Sequence, residues 1–439
     1  MIINSPKSIA MQTRAKDLIP GMTQLLSKRP DRFSEGVWPG YFSRAHGSNV
    51  WDLDDNRFLD MSIGGIGATI LGYADKDVDL AVSNAICLGV ASSLNCPEEV
   101  ELADLLLELH PWADMVRYSL GGGEAMAIAI RIARASTGRN CVAFCGYHGW
   151  HDWYLAANLS SSDSLDEHLI KGLSVAGVPL GLKGTSFPFS YNNIESLEAI
   201  VGSHGRDLAA IVLEPVRSRE PNNQFLEQVA ALSRECGAVF IFDEVSSGFR
   251  IICGGAHMFY GVEPDIAVFA KSIGNGYPLA AVVGRGDVMK AAEVTFISSS
   301  NWTSRLGYVA ALATIRKFRA LEVNVNLIRC GHLVQSGWAR LAEKHSIDIN
   351  ISGIKPLSHF SFTSFNQIRK AFFIQGMLDR GILASTSYYA MNAHTEIDVE
   401  VYLKALDEVF EDMSKCEGPE SMFSRLRGSP SAEGFQRLA

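Results

Sequence analysis

Three stretches of this sequence set chemistry-bearing residues where an α/β sheet can use them. In SLGGGEAMAIAIRIAR (residues 119–134), Gly121, Gly122 and Gly123 directly precede an alanine-rich helical run. Glycines let a backbone approach an anion closely, and the unpaired N–H groups of a helix start point at it. The stretch reads as a phosphate cradle or as a tight strand-to-helix turn. In IFDEVSSGFR (241–250), Asp243 ends an apolar run, at the end of the strand where α/β sheets place ligand-binding groups. Its carboxylate there could balance a cationic ring nitrogen, or cap the next segment. In AKSIGNGYPLAAVVGR (270–285), Lys271 follows a second apolar run and precedes a glycine-bearing turn. A lysine desolvated at a strand end favours its neutral, nucleophilic form. The alternative is an ordinary solvated lysine.

The surrounding pattern supplies elements to hold these groups. Apolar runs at 141–146, 208–216, 238–245, 265–270 and 279–284 alternate with helical runs such as 124–134 and 225–235. Runs apolar on both faces suit strands of a buried, mostly parallel sheet covered by helices. The pattern places a large α/β domain at 64–316. NVWDLDDNRFLDM (49–61) reads as a hairpin through an Asp-Asp-Asn turn, within an N-terminal segment 1–63 that joins the small domain. Residues 317–416 read as a small α+β domain, with helices at 326–344, 366–380 and 397–413. Residues 417–439, rich in Gly, Ser, Pro and Arg, read as a flexible tail.

At 439 residues the chain exceeds one small core, and its composition, 47% hydrophobic and 20% charged, is that of a globular enzyme. A net charge of −9 argues against a nucleic-acid partner. Eight cysteines without a repeating spacing read as thiols rather than a disulfide framework, with Cys141 and Cys145 on one strand face as core. The absence of a signal-like or membrane-spanning apolar run predicts no membrane association and a cytoplasmic location. His148 and His151 lack a third ligand nearby in sequence, so no metal site is expected.

Together the three stretches, in this order, resemble the class III pyridoxal-phosphate aminotransferases, in particular the branch containing glutamate-1-semialdehyde aminomutase. The resemblance runs from about Trp51 to Glu400 and rests on GGGEA (121–125), CGYHGWHD (145–152), LEPV (213–216), FDEVSSGFR (242–250), AKSIGNGYP (270–278) and AHTEID (393–398). It implies a fold-type I PLP-dependent transferase acting as a homodimer with shared active sites. Lys271 would carry pyridoxal 5'-phosphate as a Schiff base, and Asp243 would pair with the pyridinium nitrogen. Gly122 and Gly123 would bind the phosphate. Tyr147 would stack on the ring and Val245 would pack on its other face. Thr303, with Ser300 as the alternative, resembles the residue that reaches the phosphate from the neighbouring subunit. His148 reads as a pocket-lining group beside Tyr147, and Glu214 as facing the site or as a structural cap. Catalysis is expected of Lys271, Asp243 and Tyr147. The small-molecule partners would be an amino donor, L-glutamate among the candidates, and an aldehyde or keto acceptor.

Departures from the aminomutase pattern bear on the substrate. Gly121 and Gly123 stand where Ser and Thr are usual, removing a hydroxyl contact to the phosphate. Thr386 stands where the aminomutase has a gating glutamate. GVWPGYF (36–42) lacks its carboxylate-binding arginine, and RSREP (217–221) lacks its asparagine. GYHGWHDWY and SSNWTSRLG look more like aminotransferases of surface-polysaccharide and amino-sugar pathways. Intramolecular amine transfer by an aminomutase remains open, as does a non-catalytic cofactor-binding relative. A nicotinamide oxidoreductase fits less well, because GGGEA lacks the GxGxxG spacing.

Overall fold

The computed structural model describes residues 4–168, 171–222 and 224–433. The chain folds into two compact units. One is built from both chain ends, up to Asp75 and from Val325 onward, and the other from Lys76–Asn324. Residues 64–75 stay with the chain ends rather than with the sheet unit. Gly47 and Tyr73 exchange backbone hydrogen bonds of 2.8 Å, and the Tyr73 hydroxyl donates to Asp60 at 2.6 Å.

In the unit of the chain ends, β1 (Phe42–His46), β2 (Asn49–Asp52) and β3 (Arg57–Met61) pair antiparallel. The β2–β3 turn is held by Asp52 Oδ1, which accepts from the N–H groups of Asp54 and Asn56 at 2.9 Å each. This is the side-chain mimic of a turn that makes Asp common there.

The Lys76–Asn324 unit contains a seven-stranded sheet. Its strands are β4 (Met115–Ser119), β5 (Cys141–Cys145), β6 (Ser186–Pro188), β7 (Leu208–Leu213), β8 (Val239–Asp243), β9 (Ile266–Phe269) and β10 (Ala280–Gly284), in the order β4-β10-β9-β8-β7-β5-β6. The pairs within β9-β8-β7-β5-β6 are parallel, whereas β10 is antiparallel to both neighbours. The sequence read 279–284 as one more parallel-type run. Every residue of β10 is buried, so its pattern carries no sign of strand direction.

Alternation along the strands sorts side chains onto two cores. Val142, Phe144, Val239 and Ile241 pack with Ala125, Ile128 and Ile132 of the helix Gly122–Thr137. Ala143, Cys145, Phe240 and Phe242 pack with Phe225, Leu226 and Val229 of the helix Phe225–Cys236. Each fully buried Val, Ile or Phe contributes about 1.5–3 kcal/mol, which makes this layered core the main support of the unit. By the same alternation, Asp243 at the end of β8 shares the face of Val239 and Ile241, on the side of the glycine-led helix.

The chain-end unit is completed by β11 (Ile349–Ser352), β12 (Leu357–Phe362), β13 (Ile382–Ala384) and β14 (Ser387–Tyr389). β13 joins β3 in parallel, and β11-β12-β14 form a separate sheet. The AHTEID segment is structural. His394 donates from Nε2 to Asp60 O at 2.8 Å, and Thr395 and Asp398 form a reciprocal capping box on the helix Glu396–Ser414. The expected loose tail is packed as far as it is described. It forms a helix at Pro419–Ser424, buries Met422, and pins Ala432 N to Asp31 O at 2.7 Å. Proline at a helix start and one methionine to bury outweigh the tail's polar composition here. Residues 434–439 lie outside the described residues. Among the described residues no helix is long and apolar enough to cross a membrane.

Candidate active site

The parallel register of β8 and β9 sets Asp243 opposite Val268, so Lys271 emerges one strand away from Asp243, just past the end of β9. Lys271 has a backbone φ of 50°, in the left-handed region. Such a conformation costs a non-glycine residue on the order of 1 kcal/mol and persists where the surroundings impose it. Its Nζ donates to Ser246 Oγ at 2.7 Å. Burial, aided by the nearby Arg217 guanidinium and opposed by Glu214 and Asp243, pushes the amine down to about 8. The lysine is thus poised to be neutral far more often than a surface one.

Asp243 is 3% exposed. Its Oδ2 accepts from His148 Nδ1 at 2.7 Å and its Oδ1 from Val245 N at 3.0 Å. His148 is buried, and its Nε2 donates to Cys145 O at 3.0 Å. Both ring nitrogens are therefore engaged by the protein, and His148 supports Asp243 from behind instead of lining a pocket beside Tyr147. The turn that puts it there uses Gly146 and Gly149, at φ 113° and 97°.

The glycine stretch opens the helix Gly122–Thr137, and its N-cap Gly121 offers no side-chain acceptor to the first turn. Those N–H groups are available to an external anion. Gly123 and Gly149 meet backbone to backbone: a Cβ on Gly149 would lie 2.7 Å from Gly123 Cα. A Cβ on Gly122 would lie 2.7 Å from Val245 Cγ1 and 3.0 Å from Cγ2. Gly122→Ala is therefore expected to cost about 1–3 kcal/mol through overpacking, read as a lowered urea midpoint.

Tyr147 is half-buried and packs on the core that includes Ile241, edge-on to Tyr154 at 5.9 Å between ring centroids. Burial, then Asp243, raise its hydroxyl above the ordinary tyrosine value. Glu214 is buried at the end of β7, with Oε2 3.3 Å from Arg217 NH1. Thr303 and Ser300 lie on an exposed turn, where the Thr303 hydroxyl donates to Ser300 O at 2.8 Å. Among the described residues, neither side chain hydrogen-bonds to the glycine stretch or to Lys271. His151 stacks on Trp150 at 4.5 Å. Among the described residues no group of three or more His, Cys, Asp or Glu side chains could hold a metal ion.

Three features went unread in the sequence. Ser246 is the partner of Lys271. Arg217 lies close enough to act on both Lys271 and Tyr147. A cavity of about 670 Å³ opens beside Gly146 and Glu214, lined also by Arg217, Arg219, His168 and Tyr191. None of the three could be found from spacing, since each joins segments far apart in the chain.

The geometry suits a phosphorylated, cationic ring carrying an aldehyde: a buried carboxylate and a desolvated amine leave neighbouring strands, and an anion-ready helix start packs against Val245 and Ala270 beside them. Comparison with known proteins agrees. The model of the family "Aminotransferase class-III" matches residues 34–391. A 3-aminobutyryl-CoA aminotransferase from Cloacimonas acidaminovorans (strain Evry) is 30% identical over 423 residues, covering 93% of this chain and 98% of the relative. A 2'-deamino-2'-hydroxyneamine transaminase from Streptomyces kanamyceticus is 28% identical over 387 residues, covering 87% and 93%. The solved FumI protein of Sphingopyxis sp. MTA144 superposes with a TM-score of 0.85 at 24% identity, over 97% of this chain and 99% of that one. At that identity the likeness shows the fold alone, which is fold-type I. The chain belongs to the class III aminotransferases and is a pyridoxal-phosphate-dependent enzyme.

Proposed function

We propose that this aminotransferase takes an amino group from L-glutamate and delivers it to an aldehyde or ketone on a larger polar acceptor, such as a sugar. The observation that carries the reading is the meeting of Lys271, Asp243 and the open helix start at Gly122, near a 670 Å³ cavity whose lining residues Glu214 and Arg217 act on the Lys271 amine. The cavity exceeds what an amino acid fills, and its arginines suit carboxylates on the donor. The two curated relatives name different substrates, 3-aminobutyryl-CoA and 2'-deamino-2'-hydroxyneamine. Kinship at this level therefore leaves the acceptor to the cavity.

When bound, pyridoxal phosphate supplies an aldehyde for the amine and a cationic ring that draws charge from the amino-bearing carbon. The chain's own residues do the rest. The N–H groups of Gly122 and Gly123 hold the phosphate. Asp243, braced by His148, keeps a proton on the ring nitrogen. Tyr147 and Val245 would pack against the ring, and Glu214 would face it from the cavity lining. Lys271 Nζ would hold the group through its aldehyde and would serve as the base that moves the proton at the amino-bearing carbon.

The test is the visible spectrum of the purified protein before and after L-glutamate, with an assay for 2-oxoglutarate. Bleaching with stoichiometric keto acid supports the reading. A yellow band that survives glutamate rejects glutamate as donor, and a protein that takes up no pyridoxal phosphate rejects the Lys271 assignment.

The reading includes a homodimer, with Thr303, or Ser300 in its place, reaching a second copy's phosphate. Leu88, Leu94, Val294 and Phe296 are 75%, 82%, 84% and 91% exposed. They flank the segments joined by the bond from Arg305 N to Val90 O, next to the Ser300–Thr303 turn. Bared apolar side chains of this size, close in sequence to that contact, suit an interaction surface. Sedimentation should give twice the chain mass, and Phe296→Asp should shift it toward one chain. A wild-type monomer defeats the pairing.

A further inference from the structure

Lys271 is held from two ends, by its left-handed backbone and by Ser246, and the turn that presents Ser246 is itself fixed. On one flank Val245 N donates to Asp243 Oδ1 at 3.0 Å. On the other, Ser247 Oγ donates to Glu244 Oε2. Glu244 Oε1 accepts from His257 N and Nδ1 at 2.9 Å each, and Trp112 Nε1 donates to His257 Nε2 at 3.0 Å. The turn closes through Gly248 N to Glu244 O at 2.9 Å. Glu244 and His257 are 0% and 1% exposed, so this network is a buried splint with the serine at its tip. Side chains locked by such a supporting shell hold a reacting group at a defined place.

We propose that Ser246 is a positioning residue for the reacting amine: its hydroxyl oxygen accepts one N–H of Lys271 and so turns the nitrogen's lone pair away from the 244–248 turn. A freely rotating amine presents that lone pair in every direction, whereas a tethered one presents it in few. When Nζ has taken up a proton, the same oxygen accepts from the ammonium, and the bond strengthens because its donor is charged. In neither state does a proton pass to the serine. The charged groups acting on this nitrogen are Arg217 and Arg250, which with burial disfavour the ammonium, and Glu214 and Asp243, which favour it. Loss of the serine oxygen removes a contact that favours the ammonium, so the amine should become neutral at lower pH.

This inference rests on Lys271 being the reacting amine, but its main test needs no cofactor. Cofactor-free protein is pulsed with acetic anhydride across a pH series, and acetylation of Lys271 is quantified by mass spectrometry. Ser246→Ala should label about tenfold more than wild type at pH below the midpoint, a shift of about one pH unit. Ser246→Thr, which keeps the hydroxyl, should restore the wild-type profile. In the loaded enzyme, Ser246→Ala should lower kcat about tenfold with KM little changed, as expected when an interaction acts on the chemical step alone. Thermal melts establish that each variant folds. If alanine fails to fold, Ser246→Cys, close in size but a poor acceptor, takes its place with the same expectation. An unmoved labelling profile, or no rescue by threonine, overturns the proposal, and a kcat loss with an unmoved profile assigns Ser246 to packing. A wild-type protein that binds no pyridoxal phosphate defeats the Lys271 reading, while the labelling profile still decides the role of Ser246.

Discussion

Lys271→Ala is expected to abolish transamination while leaving the fold intact. Nζ donates to Ser246 Oγ, and the amine sits in a place that penalises its charge. Its removal therefore takes away chemistry and little stability. A positioned acid–base group contributes about 10²–10⁴-fold, and in the proposed mechanism this lysine also anchors the cofactor, so the loss in turnover should reach the upper end of that range. The backbone supplies an internal control. At φ 50° alanine keeps the strain of lysine, whereas glycine relieves it. Lys271→Gly should thus be equally inactive but more stable than Lys271→Ala, by about 1 kcal/mol in urea unfolding. Measurable turnover by the alanine variant near the wild-type rate would remove the lysine from the mechanism.

Asp243→Asn should keep the shape of the site and lose its charge. Breaking one partner of a buried pair typically costs about 3–5 kcal/mol, and if that loss falls on the chemical step turnover should drop roughly 10²–10⁴-fold. His148 is the residue to combine with it. Since His148 Nδ1 donates to Asp243 Oδ2, His148→Gln should slow the enzyme less than Asp243→Asn does. The double variant should be little worse than Asp243→Asn alone, because the two residues act as one unit. Steady-state turnover of the three variants decides this, and strictly additive losses would show that His148 acts elsewhere.

The sequence made Asp243 and Lys271 legible because both follow runs buried on two faces, and alternation alone assigns Asp243 a side. The same property hid the reversal of β10, whose five buried residues look alike in either direction. β4 is not legible as a strand because Arg117 interrupts its apolar character; in the fold that guanidinium is spent on Ile297 O. His148 stands next to Tyr147 in sequence, yet two glycines of positive φ turn it onto Asp243. The Glu244–His257–Trp112 contacts join residues far apart in the chain, and periodicity carries no information about such meetings. The family resemblance implies roles for Val245 and Tyr147 but says nothing of the serine on the lysine.

One feature of the sheet reaches beyond this protein's own substrate. Asp243 and Lys271 leave neighbouring parallel strands, with Asp243 opposite Val268. The pitch of a β-sheet, about 4.8 Å between strands, is a property of peptide hydrogen bonds and is the same whatever side chains surround it. The ruler between carboxylate and amine is thus written in main chain, while the cavity is walled largely by loops after β5 and β7. Evolution, or an engineer, can rebuild those loops for a new acceptor without recalibrating the chemistry.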